Sequence, residues 1–540
     1  MSETSAVQAP VRPRPPLLDA TDWLRIAALT TVGMGLRLLY FSGYGLGDDI
    51  VLRNFLNSVV TQGHVLHDNL AYRVAWWIPT AITCRLWELR EIPYLLPILI
   101  AATFAFSVVY AFGKALYGRA GGLTAGLLFL VCPLDFAWST MLTPDLQASL
   151  FSALALFCVL RAAEQLLPYP RRRLLAWAAF TSWLAFHSKV ACAPMAVPIL
   201  YSFWRHRRML TADLWAFFLP ACVLFAGTVA VSFAFTGDPF APYSSEISAQ
   251  GLSGPVAVQF HRLTEYVFWA YLRWLFYRNQ YGDFFYSIYP HLLIAFVVLA
   301  PVLRLRLGAP EVWVWLLIIF LGMQFNIQYT EGAWVAGFRN VRHTHIFVYP
   351  MILLVSGYLV ALGRRWPRFA AGCTAALVVF GLWQSFSVAT KTHVSFEDRR
   401  RAATFLATLP KKTVYSDFQI NTWRAILPGE ETRQPFKELP SFLADERRAV
   451  LARVTEGYLV TGGGREPWYG CIDCIPHENE LPATGWKLIK EFPEEGRPIA
   501  VWRPEALKIW EYVGPAPAPD APAPTPGNPA PAPANPEPKP

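Results

Sequence analysis

Charged side chains are scarce in this sequence. Asp, Glu, Lys and Arg make up 16% of its 540 residues, against about 25% in an average soluble domain. Hydrophobic residues account for 54% and aromatic residues for 15%, so too few polar side chains remain to cover a water-soluble fold of this size. The shortage argues against an ordinary soluble protein and predicts many membrane-spanning segments.

A continuous basic face and a signal peptide are also lacking. The Lys and Arg residues behind the net charge of +9 fall in small clusters between apolar runs, which is typical of membrane topology and predicts no nucleic-acid partner. Residues 1–22 are polar and Pro-rich, and no small-residue cleavage site follows the first apolar run. We therefore expect that run to remain as the first helix.

About eleven apolar runs approach the roughly 20 residues that a bilayer-spanning helix needs. The predicted spans are 23–41, 94–112, 120–138, 146–160, 174–187, 191–204, 213–235, 287–303, 311–328, 344–362 and 369–388. Lys and Arg concentrate in alternate gaps, which predicts a multi-pass protein of the inner or plasma membrane with a cytoplasmic N-terminus. The first outer loop is then residues 42–93, in which Ile50–Val60 and Tyr72–Trp87 favour amphipathic helices at the interface.

After residue 389 the chain becomes richer in charge, and short β-type runs alternate with helical stretches. This pattern predicts a small extracytoplasmic α/β domain. The final Pro/Ala repeats cannot bury enough apolar surface to fold. The expected domains are a disordered cytoplasmic N-terminus (1–22), a membrane-embedded all-α bundle (23–389), the α/β domain (390–513) and a disordered Pro/Ala tail (514–540).

Two small clusters could bind metal. His64, His67 and Asp68 lie in the first outer loop, but their spacing fits no strong metal-site pattern. Cys471 and Cys474 lie in the outer domain, where a disulfide is favoured over free thiols and a metal. We therefore assign no metal ligands. The sequence requires no cofactor, and a divalent metal stays an open alternative.

Two adjacent carboxylates, Asp48 and Asp49, follow the first predicted helix. Charged groups near the hydrocarbon core are costly and often mark function. One carboxylate could take a proton from an acceptor hydroxyl as a general base. The alternative is a pair of solvated loop acids at a helix end.

The acidic pair Asp48-Asp49 is the first of several motifs along the predicted bundle. In chain order the others are Thr143-Pro144-Asp145, Lys189 after the fifth helix, Thr236-Gly237-Asp238-Pro239 after the seventh, and more loosely Arg342-His343. Together they resemble the lipid-linked-sugar glycosyltransferases of the GT-C class, most closely the branch of protein O-mannosyltransferases and bacterial aminoarabinose transferases. The resemblance covers residues 23–390. The chain departs from the family at Asp49, where Glu is more usual, and at His343, where an aromatic residue is more usual.

The resemblance implies an enzyme that moves a sugar from a polyprenyl-phosphate donor to a hydroxyl of a protein, lipid or glycan on the extracytoplasmic face. Asp48 and Asp49 would be the catalytic carboxylates, with Asp48 as the base of an inverting displacement. The implied substrate-binding residues are Asp145, Lys189, Arg339, Arg342 and His343. The cations among them would neutralise the leaving phosphate.

Structural roles compete with these assignments. Asp145 could favour the dipole of its helix, Lys189 could anchor at the interface, and Arg339 and Arg342 could lie near lipid head groups. Asp238 favours a turn. The competing functions are a transporter or lipid-linked-sugar flippase, which would usually show repeated halves, and a non-catalytic membrane scaffold.

Overall fold

The computed structural model describes residues 17–514 with gaps. The gaps are 44–47, 64–69, 88, 90, 242–243, 245–263, 265–267, 278–282, 305–307, 331–332, 337–340, 417–433, 440–443, 463–477, 483–484 and 493–505. The predicted disordered tail, the first 16 residues, Arg339, the cluster around His64 and the pair of Cys471 and Cys474 lie outside the described residues. For Asp48, Asp49, Arg342 and His343 only the backbone is described.

Helices form most of the described chain. In order they are α1 (Ala20–Leu39), α2 (Asp48–Gln62), α3 (Val74–Trp87), α4 (Glu91–Leu130), α5 (Pro133–Trp138), α6 (Asp145–Glu164), α7 (Pro168–Ser188), α8 (Ala196–Arg205), α9 (Arg207–Leu210), α10 (Trp215–Thr236), α11 (Ala270–Phe276), α12 (Tyr289–Leu299), α13 (Pro310–Gln324), α14 (Val348–Gly363), α15 (Pro367–Thr408) and α16 (Ala444–Leu451). Four 3₁₀ turns among the described residues cover Val190–Met195, Thr211–Asp213, Val341–Phe347 and Glu478–Glu480.

The strands are short. They are β1 (Phe285–Ile288), β2 (Ile327–Thr330), β3 (Ala333–Ala336), β4 (Val414–Ser416), β5 (Phe436–Glu438), β6 (Tyr458–Thr461), β7 (Trp486–Phe492) and β8 (Leu507–Tyr512). β2 and β3 form an antiparallel hairpin, whereas β4 to β8 form one five-stranded sheet near the C-terminus.

Five helical segments of the described chain are long and apolar enough to cross a bilayer. They are α4, α6, Trp215–Ala234 of α10, Thr344–Gly363 and α15. α12 and α13 are shorter apolar helices. Every predicted span overlaps a helical segment, although the run 120–138 is divided between the end of α4 and the separate helix α5. Many large apolar side chains, such as Leu39 and Val223, are exposed on these helices and suit contact with lipid. The chain is thus a membrane protein, and the count of eleven crossings stays a prediction.

The 40-residue helix α4 is a hairpin rather than a single rod. Its backbone breaks at Gly118 (φ 79°, ψ −172°), a conformation that essentially only glycine adopts. A Cβ on Gly113 would lie 2.7 Å from the carbonyl oxygen of Gly121, and the rings of Phe106 and Phe129 are 5.0 Å apart. Residues equally far from the break therefore face each other. The two halves of α4 run antiparallel, which accounts for the two separate spans predicted there.

The first loop folds into the two helices expected for it. Leu52 and Phe55 of α2, Trp76 of α3 and Tyr94 of α4 are buried in one apolar cluster with Leu142. Each such side chain contributes about 1.5–3 kcal/mol when it leaves water. This cluster fixes α2, which begins at Asp48, against the chain that leads into the Thr-Pro-Asp motif.

The C-terminal sheet is mixed. Its strand order is β5-β4-β6-β8-β7; β4 runs parallel to β5 and β6, and β8 runs antiparallel to β6 and β7. The last turns of α15 pack on one face through Ala402 and Leu406, and α16 packs on the other through Leu451. The 42-residue helix α15 therefore runs from the bundle into the core of the sheet without a loop.

Candidate functional site

The acidic pair and the Thr-Pro-Asp motif lie at the same end of the bundle. The N–H of Gly43 donates to the carbonyl of Thr140 (3.0 Å), and Gly43 forms a short parallel bridge with Met141. Asp48 follows five residues after Gly43, and Asp145 four residues after Met141. We call this the motif end: α1 and α7 finish there, and α6 begins there.

Asp48 and Asp49 are the first two residues of α2. A carboxylate in the first turn of a helix interacts favourably with the helix dipole, so this position has a structural explanation as well as a catalytic one. Because their side chains lie outside the described residues, the catalytic assignment stays a prediction.

Asp145 and Lys189, which the sequence analysis selected separately, form a buried ion pair. Asp145 opens α6 and Lys189 directly follows α7, and the Lys189 Nζ donates to Asp145 Oδ1 with only 9% and 4% of the two side chains exposed. The hydroxyl of Thr143 donates to Asp145 Oδ2 (2.5 Å). Both carboxylate oxygens are therefore bound, and the side chain of Asp145 does more than favour a helix dipole.

Four buried residues that the sequence analysis missed extend this pair. Arg37 donates to Asp135 Oδ2 (2.6 Å), and His345 Nε2 lies 3.1 Å from Asp135 Oδ1. The other ring nitrogen of His345 lies 3.1 Å from Ser149 Oγ, and Ser149 donates to the carbonyl of Asp145 (2.8 Å). Arg37, Asp135, His345, Ser149, Asp145 and Lys189 thus form one chain of contacts, the motif-end network.

The network draws on distant parts of the sequence. Arg37 comes from α1, Asp135 from α5, Ser149 from α6 and His345 from the 3₁₀ turn before α14. The Arg37 guanidinium also lies over the rings of Phe106, Phe129 and Phe136, with its central carbon 4.9–5.7 Å from the ring centres, so cation–π attraction offsets part of its desolvation.

Two cations and two carboxylates alternate in the network. Arg37 pairs with Asp135 and Lys189 pairs with Asp145, and His345 and Ser149 connect the two pairs.

A signal for this network was present in the sequence. Arg37 and Asp135 are charged residues inside the first and third predicted spans, and such residues usually face the bundle interior and pair with one another. His345 carries a weaker signal, because it lies at the very start of the predicted span 344–362, where a polar residue is less unusual.

Two further predicted site residues are described by their backbone alone. Arg342 and His343 belong by their backbone to the 3₁₀ turn Val341–Phe347, which also carries His345. Among the residues that the structure describes, no group of three or more His, Cys, Asp and Glu side chains could hold a metal ion.

Asp238 forms the turn that the sequence analysis favoured. Ser244 Oγ donates to its carboxylate (2.6 Å) and so does the N–H of Phe240 (2.8 Å). Together these hydrogen bonds hold the pKa of Asp238 below its ordinary value, and the bond from Ser244 contributes most. The turn interpretation is confirmed.

Comparison with known proteins gives a family match over part of the chain and a shared fold. Residues 73–233 match the family described as dolichyl-phosphate-mannose-protein mannosyltransferase; this range includes Asp145 and Lys189 and excludes the acidic pair. No curated protein matches the chain at the level of sequence.

Solved structures share the architecture at low identity. The crystal structure of ArnT from Cupriavidus metallidurans bound to undecaprenyl phosphate is 11% identical, with a TM-score of 0.50, and the match covers 82% of this chain and 94% of that one. An oligosaccharyltransferase from Archaeoglobus fulgidus is 13% identical, with a TM-score of 0.51 and coverage of 81% and 68%. The family match over residues 73–233 and this shared fold confirm the resemblance to the GT-C glycosyltransferases that the sequence predicted.

Proposed function

We propose that the chain transfers a sugar from a polyprenyl-phosphate donor to an acceptor hydroxyl at the motif end. Asp48 accepts the hydroxyl proton, the oxygen attacks the anomeric carbon, and the bond from that carbon to the phosphate oxygen breaks. Polyprenyl phosphate leaves with the bonding electrons. A single displacement inverts the anomeric configuration, and Asp49 orients the acceptor or the base.

The convergence of motifs carries this proposal. The Gly43–Met141 bridge and the buried Asp145–Lys189 pair bring three separate motifs to one end of the bundle. A base and a phosphate-neutralising cation must act on the same sugar, so they need this proximity. The donor class is supported by the family description, which names dolichyl-phosphate-mannose, and by the undecaprenyl phosphate in the ArnT crystal structure.

The network suggests different roles for the cations. Because Lys189 is bound to Asp145, we assign it and Arg37 to the electrostatic background that attracts the phosphate and stabilises its developing charge. Arg339 and Arg342 are then the candidates for direct contact, since a guanidinium can hold two phosphate oxygens at once. Asp145 and His343 would complete the binding set.

We further propose that the motif end faces the extracytoplasmic side. At the other end of the bundle, which we call the opposite end, basic residues pair with acids at the rim: Lys114 with Asp22, Arg171 and Arg172 with Asp213. This enrichment suits the cytoplasmic face. The C-terminal sheet would then lie outside, where it could help to recognise the acceptor.

A reconstituted assay tests the reaction. The purified full chain in lipid nanodiscs is given synthetic polyprenyl-phosphate mannose or aminoarabinose with candidate acceptors, with and without EDTA, and mass spectrometry follows polyprenyl phosphate and glycosylated product. Loss of a general base should lower transfer by roughly 10²–10⁴-fold, so we expect this of Asp48→Asn.

The matched control is Asp213→Asn at the opposite end, which should keep transfer. Full activity of the Asp48→Asn variant would eliminate Asp48 as the base. Movement of labelled donor across proteoliposomes without sugar transfer would instead favour the flippase.

A further inference from the structure

The second half of α15 lies against the connection between α1 and α2. Arg400 donates to the carbonyl of Ser42 (2.7 Å), and its guanidinium lies 5.3 Å from the ring centre of Phe41. Two turns earlier, His393 Nδ1 lies 2.8 Å from the carbonyl of Phe41. Three contacts from one helix therefore hold the residues where the chain leaves α1.

Arg400 also reaches a third element. It donates to both carboxylate oxygens of Glu91, the first residue of α4, at 2.8 and 3.3 Å. This two-pronged contact fixes the plane of the guanidinium. Only 21% of each side chain is exposed, so water screens the pair less than a surface ion pair.

Gly43 lies directly under this pair. A Cβ at this position would come within 1.9 Å of Glu91 Oε1 and 2.1 Å of an Arg400 nitrogen, and the backbone has a φ of +81°. The conformation requires glycine here, and a Cβ would displace the ends of both side chains. On its other side, Gly43 bridges to Met141 and so to the chain that enters the Thr-Pro-Asp motif.

The same stretch of α15 enters the C-terminal sheet. Ala402, Ala403 and Leu406 belong to the core of the sheet together with Val414 and Ile509. Arg400 precedes this core by two residues. The contact at Gly43 is therefore rigidly connected to the sheet by helical backbone.

We propose that Arg400 and Glu91 form a clamp on Gly43 that positions the acidic pair for sugar transfer. The inference rests on the proposed function. Asp48 begins α2 five residues after Gly43, within about 18 Å of extended chain, and the clamp fixes the start of that connection. Arg400 acts through the backbone and is a positioning residue. Displacement of the C-terminal sheet would reach the acidic pair by the same route.

Four variants of the full chain test the clamp. Arg400→Ala and Glu91→Ala each remove one partner, and Arg400→Lys keeps a cation that can donate to Glu91 or to the Ser42 carbonyl but loses the two-pronged contact. Arg401→Ala is the matched control, because Arg401 pairs with Glu397 within the same helix. All variants are first checked by size-exclusion chromatography and thermal melting.

Two measurements distinguish a positioning role of Arg400 and Glu91 from a role in the stability of the fold. Hydrogen exchange of peptides from residues 40–62 should speed up by about tenfold in Arg400→Ala and Glu91→Ala, and by less in Arg400→Lys. With the synthetic donor that the wild type uses, kcat should fall by up to about 100-fold, since misplacement of a catalytic group by about 1 Å costs that much. KM for the donor should change by less than about threefold.

Hydrogen exchange and kcat can each contradict the clamp. Unchanged hydrogen exchange in Arg400→Ala, or faster exchange with an unchanged kcat, would overturn the clamp. An equal loss of kcat in Arg401→Ala would assign the effect to helix charge instead. If the wild type transfers no sugar from any donor in the panel, the proposed function fails, while hydrogen exchange still decides whether the clamp orders the connection.

Discussion

The two ends of the bundle use ion pairs differently. At the opposite end, the buried Asp213 binds Arg171 and also Arg172, which is 46% exposed, and Arg119 on Asp19 is 58% exposed. At the motif end, both partners are buried, as in Asp145 with Lys189 and Asp135 with Arg37. At the opposite end, ion pairs anchor helices at a rim that is open to solvent. At the motif end, the ion pairs are buried inside the protein.

Burying both partners of an ion pair is costly. The desolvation of two charges can exceed their mutual attraction, and apolar residues of similar volume often stabilise a fold better. A network built on two such pairs is therefore poorly explained by stability. The proposed phosphate-bearing donor offers an explanation, because cations oriented in advance stabilise a transition state without reorganising.

The largest expected effect comes from splitting the buried pair. Asp145→Asn leaves the Lys189 ammonium buried beside a neutral group and should lower the free energy of unfolding by about 3–5 kcal/mol. Denaturant unfolding in mild detergent measures this. Asp19→Asn, at the opposite end, is the control and should cost much less, since its partner Arg119 is 58% exposed.

The double variant Asp145→Leu with Lys189→Met sharpens the comparison. It should regain most of the lost stability because no buried charge remains unpaired, yet it should not regain sugar transfer. Recovery of transfer by the apolar pair would show that these charges serve the fold alone.

The sequence predicted the membrane bundle well because its signals are local. Each predicted span is a mostly apolar run, and bilayer thickness sets its length. The split between α4 and α5 was missed because Cys132 and Pro133 interrupt the helix inside an apolar run. Strand β7 was missed because Trp486–Phe492 lacks a clean alternation of buried and exposed residues.

The candidate site was predicted only in part because its contacts are not local. Motif order selected Asp145 and Lys189, but their direct pairing depends on how α6 and α7 pack. Contacts such as Arg37 with Asp135, 98 residues apart, and Arg400 with Ser42, 358 residues apart, leave no periodic trace in the sequence. Single charges inside apolar runs mark candidates without naming their partners.

Two glycines give a smaller and cleaner contrast between the ends. Gly43 and Gly118 have nearly equal φ angles of 81° and 79°, but a Cβ on Gly118 would meet nothing within 4 Å. Alanine should therefore cost about 1–3 kcal/mol of backbone strain at Gly118 and leave transfer per folded molecule unchanged. Gly43→Ala adds a clash with the clamp and should lower kcat as well. Thermal melting and transfer rates measure both, and equal kcat values in the two variants would contradict the contrast.

The smallest expected effect concerns Asp238, an accessible carboxylate beyond the end of α10. Its hydrogen bonds from Ser244 and Phe240 lower its pKa from the ordinary 3.8, so the carboxylate contributes stability above pH 3.8 that disappears as the pH falls through its folded value. Asn can still accept the Phe240 N–H, so Asp238→Asn should lower Tm slightly at pH 7 and leave transfer within about twofold of wild type. The difference in Tm should vanish at acid pH. A difference that persists there, or a large loss of transfer, would place Asp238 with the buried network in function rather than in a self-contained turn.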